Sequence, residues 1–206
     1  RRGGGHIFPP LEARAVTLRL RFADGAVVVE GDVPDPPGVD ALPVTADDRD
    51  RTLRAPAHRY AALRRALENA GLDYEDGVGD FPVLDLTTEY DLRDYQAEAL
   101  DAWDAADRRG VLELPTGSGK TVVAVAAMAA LGTPTLVVVP TVDLLTQWRR
   151  ELETEFGVEV GQLGGGEQRV ADITVSTYDS AYLRADDIGD RFGLVVFDEV
   201  HHLGGE

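Results

Sequence analysis

Between residues 17 and 22 the chain alternates apolar and polar positions, TLRLRF, and after Asp24-Gly25 it continues as AVVVE. Period-two alternation interrupted by an Asp-Gly pair predicts a β-hairpin. Residues 31–45, GDVPDPPGVDALPVT, lose that pattern to proline and glycine and read as loop, while ADDRDR (46–51) reads as a solvated charged face. Over 56–70, PAHRYAALRRALENA places Tyr60, Leu63 and Leu67 on one stripe of a helix that stops at Gly71. LDYEDGVGDFPVLDL then predicts a short strand, a Gly-rich loop and a second strand. Residues 16–86 thus form a small α+β domain behind a flexible extension, residues 1–15, that contains GGG and PP.

From residue 87 the periodicity changes. DLRDYQAEALDAWDAADRRG predicts an amphipathic helix ended by Gly110, followed by strand-like VLEL, the turn PTGSGKT and an Ala/Val helix. TLVVVP, a helix around VDLLTQWRRELETEFG, a strand near ITVSTY and finally LVVFDE complete the series. Apolar strands alternating with helices predict a parallel sheet covered on both faces, an α/β architecture of the P-loop type over residues 87–206. No internal repeat or low-complexity tract interrupts it.

Composition narrows the setting. The chain has 206 residues, no cysteine and no apolar run long enough to span a membrane. Its first ten residues, RRGGGHIFPP, lack the apolar stretch of a signal peptide, so an intracellular, cytoplasmic protein without a disulfide framework is expected. The balance of 37 acidic against 20 basic residues leaves a net charge of -17, and Lys120 is the sole lysine. Diffuse acidity with lysine almost abolished suggests a surface adapted to concentrated salt. Net acidity ordinarily argues against nucleic-acid binding, but at about 1 M salt the Debye length is only about 3 Å and local contacts decide.

The retained lysine lies in LPTGSGKT. Backbone N–H groups of a Gly-rich turn at a helix N-terminus cradle phosphate oxygens, so Thr116, Gly117, Ser118, Gly119, Lys120 and Thr121 are expected to hold phosphates. The Thr121 hydroxyl is expected on Mg²⁺. The strict pattern G-x-x-x-x-G-K-[ST] has Leu114 at its first position, leaving TGSGKT as the intact core. In LVVFDEVHH, four apolar residues predict a buried strand with Asp198 at its carboxyl end, where doubly wound sheets place ligands. Asp198 is expected to hold Mg²⁺, and Glu199 to orient the attacking water or accept its proton. A transition-metal site built on His201, His202 and Asp198 is disfavoured, because vicinal side chains point apart. Gln96 in LRDYQ carries an amide able to pair with an adenine edge. PTVDLLTQW and VSTYDSAY offer Thr, Ser, Gln, Trp and Tyr, suited either to a sugar-phosphate backbone and stacked bases or to helix caps and core packing.

Taken together, LRDYQ, LPTGSGKT, VVPTVDLLTQW and VVFDEVHH resemble the Q motif and motifs I, Ia and II of superfamily 2 helicases. TVSTYDSAY and FDEVHHL look most like the XPB-type repair and transcription helicases, particularly archaeal ones, with a DEVH form of the DEAH box. The hairpin domain resembles the small damage-sensing domain that precedes their first helicase domain. The resemblance implies a RecA-like first domain, ATP and Mg²⁺ as cofactors, and 3′-to-5′ translocation on single-stranded or forked DNA in repair. It implies that Arg93 and Gln96 read adenine, that His201 couples the ATP state to the DNA side, and that Thr141, Gln147 and Thr177 lie near the DNA strand. A repair nuclease is an implied partner. With LGGE as the last residues, motif III and a second RecA-like domain are not in the sequence, and these 206 residues alone are expected to be the N-terminal part of such an enzyme and barely to hydrolyse ATP. A restriction- or remodelling-type translocase and a non-catalytic nucleotide- or DNA-binding module remain alternatives.

Overall fold

A computed structural model describes residues 18–200, apart from residues 24, 35–37, 48–51 and 116. The expected N-terminal extension, Asp24, Thr116, His201 and His202 lie outside the described residues. The chain divides into two compact units after Asp80.

In the first unit β1 (Leu18–Ala23) and β2 (Ala26–Glu30) form the expected hairpin, with Ala23 opposite Ala26. Gly25 closes the connection at φ 73°, a left-handed conformation that costs glycine nothing. Three further strands, β3 (Thr45–Asp47), β4 (Thr52–Pro56) and β5 (Tyr74–Asp76), complete a sheet of order β3-β4-β2-β1-β5. Helix α1 (Tyr60–Asn69) buries Leu63 and Leu67 in a core with Leu18, Leu20, Val27 and Val29.

The expected loop holds over the described residues from 31 to 44, with a 3-10 turn at Val39–Ala41. Most of the expected charged face, residues 48–51, lies outside the described residues, and only the junction between them needs correcting. Thr45–Asp47 is a strand, and β4 adds to β2 from Val29–Leu53 through Ala26–Pro56. Asp47 has a cross-strand partner there, Arg54 Nε lying 3.3 Å away. Pairing to β2 supplies what local alternation lacks. The expected second strand near residues 82–86 does not form. Leu84 N–H donates to the Gly132 carbonyl at 2.7 Å and Leu86 enters the other unit's core, so residues 81–86 belong to the second unit.

The second unit begins with α2 (Asp94–Ala105), which ends five residues before Gly110; Asp107 and Arg108 follow it at positive φ. After α3 (Lys120–Leu131) come β6 (Thr135–Val139), α4 (Val142–Phe156), β7 (Val160–Gly164), β8 (Glu167–Arg169), β9 (Ile173–Thr177), α5 (Tyr178–Leu183), α6 (Ala185–Ile188) and β10 (Leu194–Phe197). The sheet order is β10-β6-β9-β7-β8, parallel except for β8. All five residues of β6 are buried, as a central strand covered on both faces requires. Leu145, Trp148 and Leu152 of α4 join Val137, Val139, Val160 and Val175 in the core.

The α/β class with a P-loop is therefore the one observed, after a small α+β unit. Two expectations within it fail. VLEL (111–114) is not a strand: no described strand pairs with it, and Val111 is 76% exposed. Nor is β10 wholly buried, since it is an edge of the described sheet, with Val195 and Phe197 about half exposed. Both segments line one cavity of about 510 Å³, together with Lys120, Trp148, Asp198 and Glu199. No described helix is long and apolar enough to cross a membrane.

Candidate nucleotide-binding site

Lys120 is the first residue of α3, and the loop before it is shaped by two glycines, Gly117 at φ 77° and Gly119 at φ 81°. Ser118 N–H donates to the Pro115 carbonyl at 3.1 Å, making the turn compact. A Cβ at Gly119 would stand 2.6 Å from Nε2 of Gln96, so both backbone conformation and space demand glycine there.

Gln96 is nearly fully buried, and its amide braces this loop. Nε2 donates to the Ser118 carbonyl at 2.8 Å and Oε1 accepts the Arg93 backbone N–H at 2.9 Å. Both ends of the amide are thus engaged within the protein, a different use from the expected adenine contact. Arg93 is exposed, and its guanidinium donates to the Tyr95 hydroxyl at 3.1 Å. Tyr95 in turn donates to the same Ser118 carbonyl at 2.7 Å. Sequence reasoning missed Tyr95; its place beside Gln96 on the first turn of α2 was the available signal.

Strand β10 delivers Asp198 and Glu199 to the same end of the sheet. Lys120 Nζ lies 4.0 Å from Glu199 Oε1 and 3.5 Å from the Leu114 carbonyl. Glu199 is at φ 52°, a left-handed conformation that a side chain with a Cβ adopts only at a cost. Asp198 is held on all sides. Its N–H donates to the Val138 carbonyl at 2.9 Å, Oδ1 accepts the Glu199 N–H at 3.0 Å, and Oδ2 accepts the Trp148 indole N–H at 2.7 Å. The Tyr178 hydroxyl donates to the Asp198 carbonyl. Burial, reinforced by the nearby Asp198 and Glu199 carboxylates, raises the Tyr178 phenol above its ordinary pKa, so it stays a donor.

Thr141 lies just after β6, and Thr177 is the last residue of β9, opposite Val139 of β6. Each caps a helix: Thr141 Oγ1 accepts the Leu144 N–H and Thr177 Oγ1 the Ser180 N–H, both at 3.3 Å. Thr141 and Gln147 are exposed and Thr177 is half-buried. Trp148, one of the aromatic groups offered for base stacking, is only 3% exposed and instead serves the core and Asp198.

These residues fit a nucleotide polyphosphate and a divalent cation. The Ser118 hydroxyl is buried without a protein partner, inside a loop whose glycine geometry leaves room for a close ligand. Lys120 supplies an ammonium, and Asp198 and the half-buried Thr121 supply hard oxygen donors. Among the described residues no cluster of three or more His, Asp or Glu could hold a metal by itself.

A glycine-shaped loop opening a helix, faced by an Asp-Glu pair at the end of a parallel strand, defines a P-loop nucleotide-binding unit. Residues 89–206 match the family described as type III restriction enzyme, res subunit, and the chain belongs to that family. Residues 20–78 match the xeroderma pigmentosum group B helicase damage recognition domain. The chain is similar to the DNA 3′-5′ translocase XPB2 of Sulfurisphaera tokodaii, 39% identical over 91% of this chain and 41% of that protein. It is 39% identical to Rad25 of Halobacterium salinarum, over 94% and 34% of the two chains. The DNA 3′-5′ helicase XPB of Mycobacterium tuberculosis is 37% identical over 76% and 31%. The chain thus spans about two fifths or less of the length of these curated relatives. These matches uphold the resemblance to XPB-type superfamily 2 helicases. Among solved structures, the UvsW helicase from bacteriophage T4 matches with a TM-score of 0.48 and 16% identity, covering 90% of this chain and 83% of that one.

Proposed function

We propose that the chain provides the ATP-binding unit and one DNA-facing surface of an ATP-dependent DNA 3′-5′ helicase or translocase acting in repair. The observation that carries this reading is the meeting of Lys120 and Glu199, 4.0 Å apart, beside an Asp198 fixed by four hydrogen bonds. In this reading Thr116, Gly117, Ser118, Gly119 and Lys120 hold the phosphates, and Thr121 and Asp198 hold Mg²⁺, whose remaining oxygens come from phosphate and water. When bound, Mg²⁺ neutralises charge on the phosphate oxygens. Glu199 orients water and takes its proton, while Arg93 meets the base and Gln96 keeps the loop in place. His201 relays nucleotide state towards DNA. The exposed side chains of Thr141 and Gln147, with Thr177 on the neighbouring strand end, form the DNA side, and the threonine hydroxyls cap helices as well.

The first unit's match to a damage recognition domain supports a DNA-contacting role for residues 20–78, the matched part of the small domain expected over 16–86. A repair nuclease partner rests on the resemblance to XPB-type enzymes alone. The strongly acidic, lysine-poor composition supports work in concentrated salt inside the cell. A second reading, a restriction-type translocase that moves on duplex DNA without separating strands, is favoured by the family matched over residues 89–206. Strand displacement by the whole protein distinguishes the two.

The test of the site is Mg²⁺-ATP binding by titration calorimetry in about 1 M KCl, where screening should leave the fold more stable than at about 0.15 M. Lys120→Ala is expected to weaken binding at least about tenfold, the equivalent of about 1.4 kcal/mol, with an unchanged melting temperature. Equal affinity in the two proteins would remove Lys120 from the site.

A further inference from the structure

Two of the segments assigned to the DNA side end on a single residue of the nucleotide side. Trp148 lies on α4, the helix that Thr141 caps and that carries Gln147, and its indole N–H donates to Asp198 Oδ2 at 2.7 Å. Tyr178 is the first residue of α5, the helix that Thr177 caps, and its hydroxyl donates to the Asp198 carbonyl. One helix therefore grips the carboxylate and the other the backbone of the same aspartate. These are long-range contacts, spanning 50 and 20 residues of chain.

The grip on the carboxylate is the more consequential. A buried indole N–H needs an acceptor, and Asp198 gives it one half of an anionic group. With Oδ2 fixed by Trp148 and Oδ1 by the Glu199 N–H, the carboxylate plane is set before any cation arrives. Trp148 itself cannot swing away, because it is 3% exposed and packed with Val137, Leu145, Leu152 and Val175. Hydrogen-bonding partners of metal-ligating groups generally alter metal affinity by about 10- to 100-fold when removed.

We propose that Trp148 is a positioning residue for the divalent cation: it orients the Asp198 carboxylate and makes the set of that carboxylate depend on the position of α4. The inference rests on the assignment of Asp198 to Mg²⁺ made above. Displacement of α4 by a bound DNA strand then reaches the cation through one hydrogen bond, with no relay through the glycine loop. Tyr178 keeps the Asp198 backbone in place while the carboxylate is adjusted.

The experiment uses the 206-residue protein and a fluorescent ATP analogue, titrated first without divalent cation and then with Mg²⁺ at fixed nucleotide. Trp148→Phe keeps an aromatic ring in the core and removes the donor together with the pyrrole half of the indole. It is expected to leave cation-free nucleotide affinity within about twofold and to raise the Mg²⁺ concentration for half-maximal enhancement about tenfold. A merely structural role would weaken both affinities together, and that outcome, or no change in either, overturns the proposal. Asp198→Asn separates the two levels. If it leaves the Mg²⁺ requirement unchanged, the assignment of the cation to Asp198 falls; if it raises the requirement while Trp148→Phe does not, only the positioning role falls. Should Trp148→Phe fail to fold, the wild-type indole N–H signals decide in ¹⁵N spectra, with Trp103→Phe assigning the two tryptophans. The Trp148 signal is expected to be protected from exchange and to shift on adding Mg²⁺ with nucleotide. A signal that exchanges freely or does not move overturns the proposal.

Discussion

The sheet of the first unit and the phosphate loop of the second use their polar side chains in opposite ways. In the first, charges close on one another across the sheet: Arg19 meets Glu75 through Nε and an η nitrogen at 3.0 and 2.8 Å, Arg21 meets Glu30 at 2.5 Å, and the Tyr60 hydroxyl donates to Asp76. Around Lys120 in the second, the ammonium reaches its nearest protein oxygens only at 3.5 and 4.0 Å, the Ser118 hydroxyl is buried without a partner, and Glu199 sits in a left-handed conformation. Solvent-exposed ion pairs such as Arg19–Glu75 add little to stability, so the first unit depends mainly on its apolar core. The unpartnered Ser118 hydroxyl and the left-handed Glu199 are held at some cost to stability, a feature common at ligand sites.

The sharpest way to break this contrast is to damage each unit where its own logic is strongest. Leu63→Ala removes a fully buried side chain from the first core and is expected to cost about 2–5 kcal/mol in chemical denaturation. Mg²⁺-ATP affinity, read under conditions where that protein is still folded, is expected to stay at the wild-type value. A large loss of nucleotide binding by Leu63→Ala would mean that the two units do not divide stability and ligand binding in this way.

Gly119→Ala is the counterpart, with a smaller effect on stability and a larger one on binding. Alanine at φ 81° costs about 1–2 kcal/mol, and its Cβ would push on Gln96 Nε2 from 2.6 Å, loosening the brace on the Ser118 carbonyl. Loss of nucleotide binding at least about tenfold is expected, alongside a modest fall in the denaturation midpoint. Retained affinity would show that the loop tolerates a different path and that Gln96 is not its brace.

Much of this contrast can be read in the sequence, and what cannot has identifiable causes. The first hairpin and α1 were legible because alternation, an Asp-Gly turn and a Leu63/Leu67 stripe are local signals that agree with the final packing. Strand β4 was hidden because its pairing to β2 is decided by a neighbour distant in sequence, and β3 forms only against β4. VLEL shows the reverse: its composition suits a strand, but a strand needs a ladder partner and none of the described strands supplies one. At the site, TGSGKT and the Asp-Glu pair were visible because phosphate chemistry demands those residue types at that spacing. Trp148 and Tyr178 were visible only as aromatic residues, since nothing in LLTQW or VSTYDS tells that the indole turns inward and finds an aspartate 50 positions later. The threonines show a third case, where a hydroxyl suited to a phosphate is equally suited to a helix N–H, and both uses begin from one position at a strand end.

The smallest effect concerns the one strained acid. A residue with a Cβ in the left-handed region loses about 1–2 kcal/mol relative to glycine, and Glu199 is held there at φ 52°. Glu199→Gly relieves that strain but gives up the Lys120 contact, a partly exposed pair at 4.0 Å that contributes about 0–1 kcal/mol. A net gain of about 1 kcal/mol is therefore expected by chemical denaturation. Glu199→Gln keeps the Cβ and the strain while losing the charge, so it is expected to be no more stable than the native protein. If glycine and glutamine behave alike, the left-handed conformation is not a cost to the fold, and the difference between a closed first unit and a strained second one must rest on Ser118 and the glycine loop. If glycine alone stabilises, the strain at Glu199 is retained against the interest of the fold, as expected where the carboxylate's direction matters more than its conformational comfort.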